Sequence, residues 1–167
     1  DPDGTTPSLS APVLPAGASF VNNGDGTGTI SWTPDFNAAA GSPYAVTVVA
    51  SDGTLTDSKS AIITVANTNR APVMTAVEDK TVAENQLLQF NVTATDPDGT
   101  VPTLTAQTLP TDATFVDNGN GTGTFTWTPD FNAAGTSLYT VTFIASDGTL
   151  TDSKSAIITV ANTNRAP

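Results

Sequence analysis

An all-β fold built from tandem two-sheet sandwiches follows from three features of the sequence. Apolar residues recur at every second position in one segment after another, the period of a strand with one buried face. Thr, Val, Ile and aromatic residues dominate those segments, 31 of the 167 residues being threonine, and none sustains a helical period. Sliding the chain by 95 positions then aligns residues 1–72 with residues 96–167 without a gap, and 54 of those 72 pairs are identical. A spacing this long is that of whole domains in an array rather than of a solenoid, whose units run about 20–50 residues.

The strands can be placed in order along the complete copy. Strand A is expected over Pro72–Val77. Strand B, Gln86–Thr95, contains "LQFNVTAT", which sets Leu88, Phe90, Val92 and Ala94 against Gln89, Asn91, Thr93 and Thr95. Strand C follows at Pro102–Leu109. Strands D (Ala113–Asp117) and E (Gly123–Thr128) are joined through "NGNG", whose Asn-Gly pairs favour positive backbone φ and therefore a hairpin turn. Strand F, Leu138–Ser146, puts Tyr139, Val141, Phe143 and Ala145 on one face, and strand G, Asp152–Ala161, closes the copy. Seven short strands punctuated by turn signals over roughly a hundred residues predict an immunoglobulin-like sandwich, with Trp127, Phe125 and Tyr139 between the sheets.

The two copies are unequal. Residues 71–164 make a complete repeat, and residues 165–167 begin a further linker. Residues 1–70 hold counterparts of strands C to G and nothing for A and B. A sandwich so reduced exposes core and leaves strand edges unpaired. The missing strands are expected either from a longer array of which this chain is one segment or, as the alternative, from a neighbouring chain by strand donation.

Composition excludes several functions. Sixteen acidic residues face only Lys59, Arg70, Lys80, Lys154 and Arg165, a net charge of −11, so a phosphate-binding face for nucleic acid or an anionic membrane is not expected. Without cysteine or histidine there are no disulfides, no thiol chemistry, no His-based triad and no ordinary zinc site. Adjacent Ser153 and Lys154 point to opposite faces of a strand, which removes Ser-Lys catalysis. "DPDG" occurs at Asp1–Gly4 and again at Asp96–Gly99. Asp-Pro and Asp-Gly are ordinary turn chemistry, but two carboxylates two residues apart can also face one side of an extended loop as ligands for a hard cation.

Alternating strands sort the loops onto two ends. One end collects the segment leading into strand A (Asn67–Pro72), the B–C loop (Asp96–Gly99), the D–E hairpin (Asp117–Gly121) and the F–G loop (Ser146–Gly148). The other collects Glu84 and Asn85 of the A–B turn, Asp130 and Asn132 of the E–F connection, and Asn162–Asn164. Stacking copies head to tail is expected to set Asp35 and Asn37 against Asp96, Asp98 and Asp147 across the linker Asn67-Thr68-Asn69. Carboxylates gathered in that way need a cation, and calcium, which takes six to eight oxygens, suits them.

With those residues placed, the repeat resembles a bacterial cadherin-like domain of the calcium-binding, immunoglobulin-like superfamily. "AEN" (Ala83–Asn85) resembles the cadherin PEN motif, "VTATDPDG" (Val92–Gly99) its strand B with the following DxD, "YTVTFIASDG" (Tyr139–Gly148) its strand F, and "ITVANTNRAPV" (Ile63–Val73) its linker. "FTWTPDFNAAG" (Phe125–Gly135) is more typical of bacterial putative-Ig and dystroglycan-type relatives. The resemblance implies calcium ligands at Glu84, Asp96, Asp98, Asp147 and Asn69, together with Asn67 and Asp35. It implies that Asp1, Asp3, Asp52, Asn162 and Asn164 serve neighbouring junctions. One or two calcium ions per junction are expected. Asn67 and Arg70 stand where cadherins place aspartates, so a rival expectation is that Arg70 itself bridges the acidic end without metal.

The function expected is that of a non-enzymatic extracellular or cell-surface module, bacterial in kind: a stalk, adhesin or filament segment whose junctions calcium stiffens. Its partners are neighbouring copies of the repeat and a surface glycan or protein ligand. The alternative is a carbohydrate-binding accessory module of a larger secreted enzyme, for which Trp32 and Trp127 would have to be exposed.

Overall fold

The computed structural model describes residues 4–136 and 138–165, and the chain divides into two compact units, residues 1–68 and 69–167. The division falls just before Asn69 and Arg70 because the side chains of both bond within the second unit.

The first unit contains β1 (Ser8–Val13), β2 (Ser19–Asn22), β3 (Gly28–Ser31), β4 (Tyr44–Ser51) and β5 (Thr56–Ile63). β4 lies between β1 and β5 in an antiparallel sheet, while β2 and β3 form a separate hairpin. Gly28 leaves room in that hairpin for the Phe20 ring of the partner strand, which a Cβ at this position would push aside. One turn of 3-10 helix, Ala38–Gly41, carries the chain from the hairpin to β4.

The second unit is a full sandwich. Its strands are β6 (Val73–Met74), β7 (Lys80–Ala83), β8 (Leu88–Thr95), β9 (Thr103–Gln107), β10 (Thr114–Asp117), β11 (Thr122–Trp127), β12 (Leu138–Ser146) and β13 (Thr151–Ala161). One sheet has the order β10-β11-β8-β6 and the other β7-β13-β12-β9. All pairings are antiparallel except β7 with β13, which is parallel, Val82 lying opposite Val160. The inward residues alternate as the sequence predicts: Val141, Phe143 and Ala145 of β12 and Phe125 of β11 are completely buried. Phe143 of one sheet meets Phe90 and Phe125 of the other edge-on, at 5.9 and 6.2 Å between ring centres, so aromatic rings join the two layers.

Strand A differs from the expectation of one strand over Pro72–Val77. Two short strands, β6 and β7, divide between the sheets, so that one segment closes the edge of each. Two carboxylates fix the crossing. Asp152 Oδ2 accepts the Met74 N–H at 2.8 Å, and Asp79 Oδ1 accepts the Ile157 N–H at 2.7 Å. A four-residue strand with one buried apolar residue, Val82, is too short to announce itself by periodicity.

Candidate functional site

The carboxylates with most structure around them lie at the two ends of the second unit. At one end the B–C loop turns sharply. Asp96 Oδ1 accepts the Asp98 N–H at 2.7 Å and the Asp96 carbonyl accepts that of Gly99 at 3.1 Å, a turn that Gly99 completes at φ +84°. This presents Asp98 to Arg70, in the segment leading into β6. Asp98 Oδ2 accepts the Arg70 backbone N–H at 2.6 Å, and Oδ1 accepts Arg70 Nε at 2.9 Å and faces Nη2 at 2.8 Å. Arg70 Nη2 also donates to the Pro97 carbonyl at 2.6 Å. The Asp98 side chain is only 6% exposed, so this charge-assisted contact is largely screened from water.

Asp147, in the F–G loop, binds the same segment one residue earlier. Its Oδ2 accepts Asn69 Nδ2 at 2.9 Å, while Oδ1 accepts the N–H groups of Thr149 and Leu150 at 2.6 and 2.7 Å. Hydrogen bonds hold both carboxyls below the usual aspartate range. For Asp98 the Arg70 backbone N–H contributes most, then its guanidinium, against an opposing push from desolvation and, less, from Asp147. For Asp147 the Leu150 N–H leads, followed by Thr149 and Asn69.

At the opposite end Glu84 is buried, 2% exposed, in the turn between β7 and β8. Its Oε2 accepts the Thr163 N–H at 2.9 Å, its carbonyl accepts Thr163 Oγ1 at 3.3 Å, and its own N–H reaches the Ala161 carbonyl at 3.1 Å. The residue that the resemblance assigns to a metal is thus bonded to the segment that leaves β13.

The remaining expected ligands have these places. Asp35 and Asn37 are exposed in the first unit, where Asp35 Oδ1 accepts the Asn37 N–H at 2.9 Å. Asp52 Oδ1 accepts the N–H groups of Thr54 and Leu55, each at 2.7 Å, and these bonds, Leu55 first, lower its pKa. Asn67, Asn162 and Asn164 are exposed. Asp1 and Asp3 lie outside the described residues.

For calcium the geometry gives one positive sign against several negative ones. Among the described residues no three carboxylates form a group able to hold a metal ion. Both oxygens of Asp98 and of Asp147 already accept protein donors, and Arg70 places a positive charge beside them. The donor set suits a guanidinium better than a divalent cation. The positive sign is Asp96 Oδ2, which is buried and has no hydrogen-bond partner.

Sequence reasoning missed Asp152. Besides the Met74 N–H it binds Lys154 Nζ at 2.9 Å, and the Met74 bond leads in holding its pKa down. The available signal was the Asp-x-Lys spacing, which sets both charges on one face of a strand.

Two facing sheets with a split first strand and inter-sheet aromatics define an immunoglobulin-like sandwich domain. The chain belongs to the bacterial Ig domain family, whose model matches residues 69–161, and a second model described as "Putative Ig domain" matches residues 1–66. Among solved structures, an endo-fucoidan hydrolase of glycoside hydrolase family 107 aligns with 97% of this chain and 24% of its own, at 22% identity and a TM-score of 0.50. Titin domains Z1Z2, solved in complex with telethonin, align with 95% of this chain and 83% of theirs, at 13% identity and a TM-score of 0.50. Identities this low show the fold alone. The chain spans about a quarter of the fucoidan hydrolases it matches. No curated protein matches the sequence. Among the described residues no helix is long and apolar enough to cross a membrane.

Proposed function

We propose that the chain is a non-enzymatic repeat module of an extracellular or surface protein, a spacer within a stalk or adhesin, and that the second unit controls the direction in which its chain enters and leaves. The observation that carries this reading is the pair of carboxylate ties at its two ends. Arg70 and Asn69 are held by Asp98 and Asp147 before the first strand, and Thr163 is held by Glu84 after the last. A spacer gains stiffness when its flanking segments are fixed to the domain body, because the backbone freedom of each ordered residue is removed in advance. Backbone amide relaxation tests this. Asn69 and Arg70 are expected to show order parameters near 0.85, as in rigid backbone, and Asp98→Ala to drop them below about 0.6. Flexible values in the unmodified chain overturn the reading.

Calcium is the second reading, favoured by the unpartnered Asp96 Oδ2. It predicts that added calcium raises the melting temperature and chelator lowers it, with the difference lost in Asp96→Asn. The arginine tie predicts no response to either reagent, and destabilisation of the second unit by Arg70→Met.

A carbohydrate-binding accessory role is the alternative raised by the fucoidan hydrolases. It has less support, because Trp127 is 3% exposed, with Nε1 donating to the Thr111 carbonyl at 3.0 Å and its ring against Tyr139. An aromatic platform for sugars needs exposed faces: Trp127 presents none, and Trp32 is half-buried, with Nε1 donating to the Ala16 carbonyl at 3.1 Å and its ring edge-on to Tyr44.

A further inference from the structure

We infer that Asn120 is a self-modification site: the backbone nitrogen of Gly121 closes on its side-chain carboxamide, ammonia leaves, and hydrolysis of the imide puts aspartate or isoaspartate in the hairpin between β10 and β11. The chain contains three Asn-Gly pairs, Asn23-Gly24, Asn118-Gly119 and Asn120-Gly121, and in each the glycine leaves the attacking nitrogen unshielded by a side chain. Sequence alone ranks them equally. Their hydrogen bonds do not. The Gly24 N–H donates to Asn22 Oδ1 at 3.1 Å and the Gly119 N–H to Asp117 Oδ1 at 3.0 Å, so in both pairs the nitrogen that would attack is already engaged. The carboxamides of these pairs are held as well, Asn23 Nδ2 donating to Thr27 Oγ1 at 2.9 Å and Asn118 Nδ2 to Thr122 Oγ1 at 2.8 Å. Among the described residues the Gly121 N–H has no such partner.

Asn120 Oδ1 accepts the Thr122 N–H at 3.1 Å and the Thr122 hydroxyl at 2.7 Å. A bond to the residue two positions on curls the carboxamide over the peptide that joins Asn120 to Gly121, which brings Cγ toward the glycine nitrogen. The same two donors lie where negative charge gathers on Oδ1 as Cγ becomes tetrahedral, the role of an oxyanion hole. Because the Thr122 hydroxyl accepts from Asn118 Nδ2, its own proton is left for Oδ1. The exposed Asn120 is open to water and hydroxide. The deprotonated Gly121 nitrogen bonds to Cγ, the Cγ–Nδ2 bond breaks, and Nδ2 takes a proton from water and departs as ammonia. A water molecule then opens the ring, at Cγ to give aspartate or at the main-chain carbonyl to give isoaspartate. The glycine is fixed by the fold: its φ is +77°, and a Cβ would stand 2.7 Å from the Ala94 carbonyl oxygen.

The first unit shows the aspartate product in place. Asp25 is the counterpart of Asn120, and its Oδ1 accepts the Thr27 N–H at 2.9 Å and the Thr27 hydroxyl at 2.5 Å. The hairpin around it keeps the same register, Asn22 opposite Gly28 as Asp117 is opposite Gly123. Aspartate at position 120 therefore leaves the turn intact. Isoaspartate adds a carbon to the main chain inside the turn and disrupts the bond from the Asn118 N–H to the Thr122 carbonyl, 2.9 Å long.

The test incubates the full chain at neutral and mildly alkaline pH and follows each asparagine by peptide mapping, through the mass gained when NH2 is replaced by OH. In the folded chain Asn120 is expected to convert about tenfold or more faster than Asn118 and Asn23, whose nitrogens are released only by local opening. In urea the three rates are expected to converge, which separates the effect of the fold from that of the sequence. Thr122→Val keeps a β-branched residue in β11 but removes the hydroxyl donor, and is expected to slow Asn120 by about tenfold in the folded chain with its rate in urea unchanged. Asn120→Asp is expected to keep the Asn118 and Thr122 amides as protected from hydrogen exchange as in the unmodified chain. Equal rates in the folded chain, conversion led by Asn118 or Asn23, or a Thr122→Val rate at or above that of the unmodified chain would overturn the inference.

Discussion

Residues 50–68 and 145–163 have the same sequence, yet they are packed differently in the two units. Ala156 and Ile158 of β13 are 1% and 0% exposed, whereas Ala61 is exposed and Ile63 only half-buried. Asp152 accepts the Met74 N–H and its side chain is 26% exposed in its pair with Lys154. Asp57, the same letter in β5, binds Lys59 in the open, with side chains 73% and 83% exposed. What differs is the presence of β6, β7 and β8, which cover one set of residues and not the other. Burial is thus set by the strands laid against a sequence as well as by the sequence itself. Part of the architecture does not depend on those strands. Trp32 and Trp127 each meet a tyrosine edge-on at 4.9 Å, and each tyrosine hydroxyl donates to an alanine carbonyl of a short 3-10 turn, Tyr44 to Ala38 of the turn Ala38–Gly41 and Tyr139 to Ala133 of the turn Ala133–Gly135.

The strongest test of this comparison is a pair of identical core truncations. Ile158→Ala is expected to cost about 2–5 kcal/mol, the range for truncating a fully buried aliphatic side chain. Ile63→Ala is expected to cost less than about 1 kcal/mol, because it removes a side chain already half in water. Urea unfolding of the two variants measures both, and equal costs would break the comparison.

A smaller effect is expected at Glu84, which has no counterpart in the first unit. Glu84→Leu leaves the Thr163 N–H without its acceptor and should cost about 1–3 kcal/mol. Glu84→Gln keeps an oxygen in place and should cost less. If Leu and Gln behave alike in thermal melts, the tie to Thr163 contributes nothing.

The smallest expected effect is the difference in acid sensitivity. The folded-state pKa values of Asp98, Asp147 and Asp152 are lowered by hydrogen bonds. Their contributions are therefore complete above the unfolded aspartate pKa, about 4, and are lost as the pH falls through the lowered folded values. Asp57 and Asp52 are lowered too, but through the exposed Lys59 and through a local turn. Acid should thus loosen the ties of the second unit, and Asp152→Asn should remove more of that pH dependence than Asp57→Asn, whose pair with Lys59 is exposed and screened by solvent. Melting temperatures across the acid range decide it.

Much of the fold was legible in the sequence because alternation reports burial directly. Strands B, F and G carry it over eight residues or more, and their inward positions are those found in the core. The division of strand A was not legible, since β6 has two residues and β7 four, and side-chain bonds from Asp152 and Asp79 rather than periodicity hold them. At the candidate site, loop placement could be read from the up-and-down order of strands, and it brought Asn69, Arg70, Asp98 and Asp147 together. The partner of each carboxylate could not be read in that way. Asp98 faces a guanidinium and Glu84 a backbone N–H, choices set by a few ångströms of loop geometry.

Amide hydrogen exchange of the shared stretch, resolved residue by residue by NMR, is the most direct measurement of whether β6–β8 make the difference. Ile158–Ala161, paired with β7, should exchange far more slowly than Ile63–Ala66, whose sequence is identical. Equal protection of the two segments would contradict the account.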